Sequence, residues 1–245
     1  MKKLISLFLC FCVSLLCVRS KANSASMKDT TINNELTAQE KAEGWQLLFD
    51  GKTLNGWKTF KNKPGSWKAK DGILCSSTSD SGNADLLTNN VYENFELTID
   101  WKISPEGNSG ILYLVTEEYD QTYLSGPEYQ LIDDDGFPEK IEDWQKTGAN
   151  YAMQAPAIKA ANKPGDWNTT KIIVKNGSVE HWLNSKKVVS YTLWSEEWKK
   201  QKAIGKWKDA AGYAASKTGH IALQSSHSPV ETSGICFKNI KIKIL

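Results

Sequence analysis

The chain has 245 residues, 40% of them hydrophobic, with 30 basic against 28 acidic side chains and a formal charge of +2. The lysines are scattered, which excludes the clustered basic surface a nucleic-acid binder needs. Ten tryptophans, several-fold above ordinary use, supply rigid apolar faces that suit a sandwich core or stacking on sugar rings.

The chain opens with Met1-Lys2-Lys3, an almost wholly apolar run from Leu4 to Val18 and a small, polar stretch through Ala25. This pattern predicts a secretory signal over residues 1–25, too short for a membrane span. The expected destination is the periplasm, the cell surface or the medium, with no transmembrane span in the mature chain. A lipid anchor on Cys17 is the alternative, although Leu15-Leu16 before it lacks the small residue such a site usually wants. Cys10, Cys12 and Cys17 leave with the signal, so Cys75 and Cys236 remain as either one bridge or two separately buried thiols. Neither has a Cys or His neighbour at zinc-ligand spacing.

Residues 26–43 read as a polar tether and a short helix, since Thr37-Ala38-Gln39-Glu40 has capping-box spacing and Gly44 stops it. Residues 44–245 form one domain of strands and tight turns. Phe95, Leu97, Ile99, Trp101 and Ile103 alternate with polar residues and give the clearest strand. Shorter strands are predicted at residues 110–116, 171–175, 179–184 and 187–191. Asn176-Gly177 and Asn184-Ser185 join the last three as hairpin turns. Ser195 followed by two acids caps a helix to about Lys202, within an insert to about Ala215 that we expect to cap the sandwich rather than wall a cleft. The closing strand alternates Ile240, Ile242 and Ile244 after a parity change at Lys238-Asn239 that marks a bulge, and it is expected to pair near the start of the domain. Regular strand spacing with a few short helices gives an all-β jelly-roll sandwich.

Between these elements lies Gly126-Pro-Glu-Tyr-Gln-Leu-Ile-Asp-Asp-Asp-Gly136. Alternation puts Glu128 and Gln130 on one face and Tyr129, Leu131 and Asp133 on the other. A carboxylate and an amide on an open sheet face suit sugar hydroxyls, although an antiparallel sheet often keeps one face wet. Of the three histidines, His181 lies among apolar residues and reads as structural, His220 as a surface strand start, and His227 as a site residue at a strand end. Asp134 and Asp135 read as a turn closed by Gly136. Asp133 can still face a site. A Gly-x-Ser-x-Gly elbow, a phosphate loop and a dinucleotide fingerprint are missing from the sequence.

Seven blocks in order resemble the 3-keto-disaccharide hydrolase family, also described as 3-keto-glucoside lyases and hydratases. They are Leu48-Phe-Asp-Gly-Lys-Thr-Leu-Asn-Gly-Trp57, Asn108-Ser-Gly-Ile111, Glu128-Tyr-Gln-Leu-Ile-Asp133, Thr147-Gly-Ala-Asn-Tyr151, Lys163-Pro-Gly-Asp-Trp-Asn168, Gly219-His-Ile-Ala-Leu-Gln224 and Phe237-Lys-Asn-Ile-Lys-Ile242. Two departures are Ser225-Ser226-His227-Ser228 where the family often has His-Gly, and Lys238 in place of an Arg. The resemblance implies a concanavalin-like jelly roll and action on small carbohydrates oxidised at carbon 3, whose ketone makes the carbon-2 proton acidic. For such chemistry we take His227 or Glu128 as the base, with the other as acid or as ligand to an electrophile, and Gln130, Asn108, Tyr151 and Lys163 as candidates to hold the sugar hydroxyls. Glu128, Asp133 and His227 are by type the candidate ligands of a divalent cation, the one cofactor under consideration. The alternatives are a non-catalytic glycan-binding module on the same fold and a conventional two-carboxylate glycosidase.

Overall fold

A computed structural model describes residues 34–77, 82–227 and 234–245. The expected signal, most of the tether and the loop at 228–233 lie outside them. The capping box forms as expected: the Thr37 hydroxyl accepts from Glu40 N, Glu40 reaches back to Thr37 N, and helix α1 (Ala38–Ala42) follows.

The domain is a jelly-roll β-sandwich. Its strands in chain order are β1 (Trp45–Leu47), β2 (Trp57–Thr59), β3 (Lys68–Lys70), β4 (Ile73–Ser77), β5 (Leu86–Thr88), β6 (Phe95–Ile103) and β7 (Asn108–Val115). They continue as β8 (Glu128–Ile132), β9 (Asn168–Lys175), β10 (Ser178–Leu183), β11 (Lys186–Thr192), β12 (His220–Leu223) and β13 (Gly234–Ile244), with helix α2 (Glu196–Ile204) before β12. One sheet runs β11-β10-β9-β6-β13-β4-β3, with β1 also on β13. The other runs β2-β5-β12-β7-β8. Every pairing is antiparallel.

The local signals act as expected. Burial along β6 alternates without exception, so Leu97, Ile99 and Trp101 enter the core while Glu96, Thr98 and Asp100 face outward. Asn176-Gly177 and Asn184-Ser185 all take positive φ, the backbone a two-residue hairpin requires. The register of β13 slips between Lys238 and Lys241, with Asn239 at φ 51°, which is the bulge that restores the apolar parity. Inner faces of both sheets meet in one core around Trp101, Tyr113, Tyr129 and Phe237.

Cys75 and Cys236 stand directly opposite each other in the β4–β13 pair, with Cα atoms 4.2 Å apart, and are bridged. Of the two states the sequence left open, the bridge is the one found. Among the described residues no helix is long and apolar enough to cross a membrane.

Candidate active site

The five-stranded sheet carries the site on its outer face. Register aligns Gln130 with Gly110, and the chain beyond the strand ends continues that row, because Gln224 N donates to Gly110 O (2.9 Å) and Phe60 N to Asp85 O (2.8 Å). Gln130, Gly110, Gln224, Asp85 and Phe60 therefore cross the sheet side by side. The next row holds Glu128, Leu112, Ala222 and Leu87, whose last three members form a small second apolar cluster with Phe60 and Val115.

This face is not wet, contrary to the expectation of an open sheet surface. Glu128 is 6% and Gln130 3% exposed. Residues 148–151 run along the far edge of β8: Gln130 N donates to Ala149 O, Gly148 N to Gln130 O, and Tyr151 N to Glu128 O, all at 2.9–3.1 Å. Within the sheet, Gly110 leaves the space the Glu128 side chain fills. A Cβ at Gly110 would lie 2.4 Å from Glu128 Oε1 and 2.8 Å from its Cγ.

The cleft above has two lobes. The first, about 270 Å³, is lined by Asn108, Glu128, Gln130, Tyr151, Lys206 and Trp207, and shares Tyr123, Gln224 and His227 with the second. The backbone N–H of His227 donates to Asn108 O (2.8 Å), which fixes the chain where the lobes meet. Five of the expected residues, Glu128, His227, Gln130, Asn108 and Tyr151, thus share one lobe.

Lys163 and Asp133 are not brought to it. Lys163 is exposed in a turn closed by Asp166 N to Lys163 O, and that turn is tied to β6 through Gly165 N and Ile103 O. Asp133 faces the other way from Glu128, and its carboxylate accepts the N–H groups of Glu106 and Gly136 at 2.9 and 3.0 Å, so it holds a turn. The suggested cation ligands Glu128, Asp133 and His227 therefore do not assemble. Among the described residues no three Asp, Glu, His or Cys side chains stand close enough to hold a metal, and these residues do not fit one.

The cation in the lobe is Lys206, from the insert after α2. Its ammonium lies over the rings of Tyr151 (4.4 Å) and Trp207 (5.0 Å) and 3.4 Å from the Tyr151 hydroxyl. Trp207 donates through Nε1 to Tyr151 O (3.1 Å) and stacks on Tyr213 at 4.5 Å, and Trp198 lies parallel to Tyr213 at 6.1 Å. The insert walls the cleft, which corrects the expectation that it only caps the sandwich. α2 itself begins as predicted, with the Ser195 hydroxyl accepting from Trp198 N.

Burial pushes the Glu128 carboxyl up to about 8; the charge of Asp85 adds to the rise and that of Lys206 opposes it. Asp85 is raised as well, chiefly by its own burial, against hydrogen bonds from the Thr122 hydroxyl and Ser225 N and the charge of His227. Sequence patterning missed Lys206, Trp207, Asp85 and Gln224 as site residues, although Gln224 lay inside a family block.

The other two histidines serve the frame. His181 Nδ1 lies 2.9 Å from Gly148 O, which can only accept, so Nδ1 carries the proton and Nε2 accepts from the Tyr113 hydroxyl (2.9 Å). Burial pulls its pKa down to about 4 and keeps it neutral. It thereby pins, from the opposite sheet, the segment that flanks the edge of β8 beside Glu128. His220 is half-buried rather than a surface residue, with Nδ1 2.7 Å from Thr88 O.

The sequence model of the 3-keto-alpha-glucoside-1,2-lyase-like domain matches residues 44–243. A Bacteroides thetaiotaomicron protein named 3-keto-disaccharide hydrolase is 33% identical over 235 residues, covering 83% of this chain and 79% of that one. A crystal structure of a provisionally named glycosyl hydrolase from Parabacteroides distasonis is 44% identical, with a TM-score of 0.80 over 87% of this chain and 99% of its own. A second such structure from the same organism is 28% identical with a TM-score of 0.65, over 82% and 99%.

Proposed function

The chain belongs to the family of 3-keto-alpha-glucoside-1,2-lyase-like domains, and from that premise we propose that it cleaves 3-keto-glycosides by elimination followed by hydration. The observation that carries this reading is Lys206 beside Glu128 in one lobe. An ordinary glycosidase builds positive charge on the sugar ring, and a neighbouring ammonium opposes that. Proton abstraction next to a ketone builds negative charge on oxygen, which the same ammonium stabilises.

The ionised Glu128 carboxylate takes the proton from carbon 2, and the electron pair spreads onto the carbon-3 oxygen facing Lys206. The enolate then re-forms the ketone, a double bond forms between carbons 1 and 2, and the bond from carbon 1 to the leaving oxygen breaks. His227, where the two lobes meet, gives that oxygen a proton. Water then adds its hydroxyl to carbon 1 and gives its proton to His227, while Glu128 returns its proton to carbon 2, which restores both groups and gives net hydrolysis. A carboxylate with a pKa near 8 is far more basic than an ordinary one, and about a tenth of it is ionised at pH 7. Gln130, Asn108 and Tyr151 border the ring as hydroxyl partners.

Export belongs to the same proposal. The apolar start of the chain and the Cys75–Cys236 bridge both fit an oxidising compartment.

The test compares a 3-keto disaccharide with a 3-keto 4-nitrophenyl glucoside, whose leaving group needs no acid. Glu128→Gln is expected to lose activity on both and His227→Ala mainly on the disaccharide. Cleavage of the unoxidised parent glycosides, or full activity of Glu128→Gln, would refute the proposal.

A further inference from the structure

The larger lobe of the cleft, about 510 Å³, lies beyond His227 from Glu128 and Lys206. Its floor is Phe60 and the buried Asp85, its sides include Pro64, Asn83 and Gln121, and Tyr123 stands between the two lobes. The walls are firmly built. Ala84 N donates to Pro64 O (3.2 Å), Ser225 N holds Asp85, and a Cβ at Gly82 would come within 2.6 Å of the Pro64 carbonyl. Ligand sites of this kind combine apolar surface with a few convergent polar groups.

Across the sheet, Gln224 on the β12 line separates Gln130 and Gly110 from Asp85 and Phe60. Neighbouring strands are about 4.8 Å apart, close to the length of one pyranose ring. A ring seated over β7 and β8 therefore puts its carbon-1 substituent past His227 and over β12 and β5.

We infer that this lobe binds the leaving group, and that it selects a ring with one apolar face and a hydroxylated edge: the face lies on Phe60 and Tyr123, the edge meets Asn83, Gln121 and Asp85. This assignment rests on the proposed cleavage for its direction. The same chemistry is offered by a second sugar or by a phenolic aglycone.

The experiment measures kcat/KM of the wild-type enzyme and of an Asn83→Ala/Gln121→Ala variant on 3-keto-glucosides with glucosyl, 4-hydroxyphenyl and methyl leaving groups. Comparing variant with wild type on each substrate cancels the leaving group's intrinsic reactivity. The expected result is a fall at least tenfold larger on one or both ring-bearing substrates than on the methyl glycoside. A larger fall on the glucosyl substrate identifies a sugar, and on the 4-hydroxyphenyl substrate a phenol. Equal falls on all three overturn the assignment. If the wild-type enzyme turns over none of them, the cleavage reading fails, and calorimetric titration with unoxidised glucosyl and 4-hydroxyphenyl glucosides decides the lobe. Equal affinity in wild type and variant then overturns it.

Discussion

Gly110 and Glu128 share one volume: the carboxyl side chain of the second lies where a side chain on the first would stand. Gly110→Ala must therefore displace Glu128 while leaving the inner face of β7 untouched. A displacement of about 1 Å can cost roughly 10²-fold in rate, and we expect a loss of that order with an unchanged circular dichroism spectrum. Wild-type kcat in this variant would show that the position of Glu128 does not matter.

Glu128 should also make stability depend on pH. Its folded pKa is about 8, against about 4.3 in an unfolded chain. Between those values the folded state keeps a proton that the unfolded state has released. Stability is therefore full at acid pH, declines as pH rises from about 4 to 8, and stays reduced above that, by on the order of a few kcal/mol. Glu128→Gln cannot ionise, so its Tm should exceed that of the wild type at pH 9 and converge with it near pH 4. Parallel melting curves at both pH values would contradict this.

Lys206→Met keeps the apolar stem over Tyr151 and Trp207 and removes the charge. Removal of one donor to a developing oxyanion costs about 10²–10³-fold in kcat, and that is the expected loss. The Glu128 pKa should also climb, because Lys206 is what lowers it. The ionisation governing kcat/KM should then appear at higher pH. An unaltered pH profile would place Lys206 out of electrostatic reach.

The Cys75–Cys236 bridge spans 161 residues of sequence. Replacing both cysteines with serine should cost roughly 2–4 kcal/mol, read as a lower denaturant midpoint, while turnover at 25 °C persists, since the bridge joins β4 and β13 in the sheet that does not bear the cleft. Loss of activity with an unchanged midpoint would reverse that assignment.

Features set by neighbouring residues could be read from the sequence. The alternation of β6, the two hairpin turns, the capping box at Thr37 and the Ser195 cap each depend on a few consecutive side chains. The same alternation correctly separated Glu128 and Gln130 from Tyr129 and Leu131. It could not reveal that the polar pair is buried, because the segment that flanks β8, residues 148–151, and the insert that brings Lys206 and Trp207 come from distant parts of the chain. Nor could it bring Lys206 to Glu128, since that meeting depends on the Trp198–Tyr213–Trp207 stack. Lys163 and Asp133 fit by residue type and adjoin turn signals at Pro164-Gly165 and Asp135-Gly136, but that those turns lie away from the cleft is set by pairings distant in sequence.

Lys206 reaches the cleft on the connection between β11 and β12 and contributes nothing to either sheet. Under the proposed mechanism the sandwich supplies the polar floor through Glu128 and Gln130, while the positive charge arrives from the segment after α2. The insert is nonetheless part of the fold, since Trp198, Trp207 and Tyr213 are buried in the main hydrophobic core. The position of the ammonium is therefore tied to core packing: an edit that moves Lys206 must leave those aromatic contacts intact or lose stability with it.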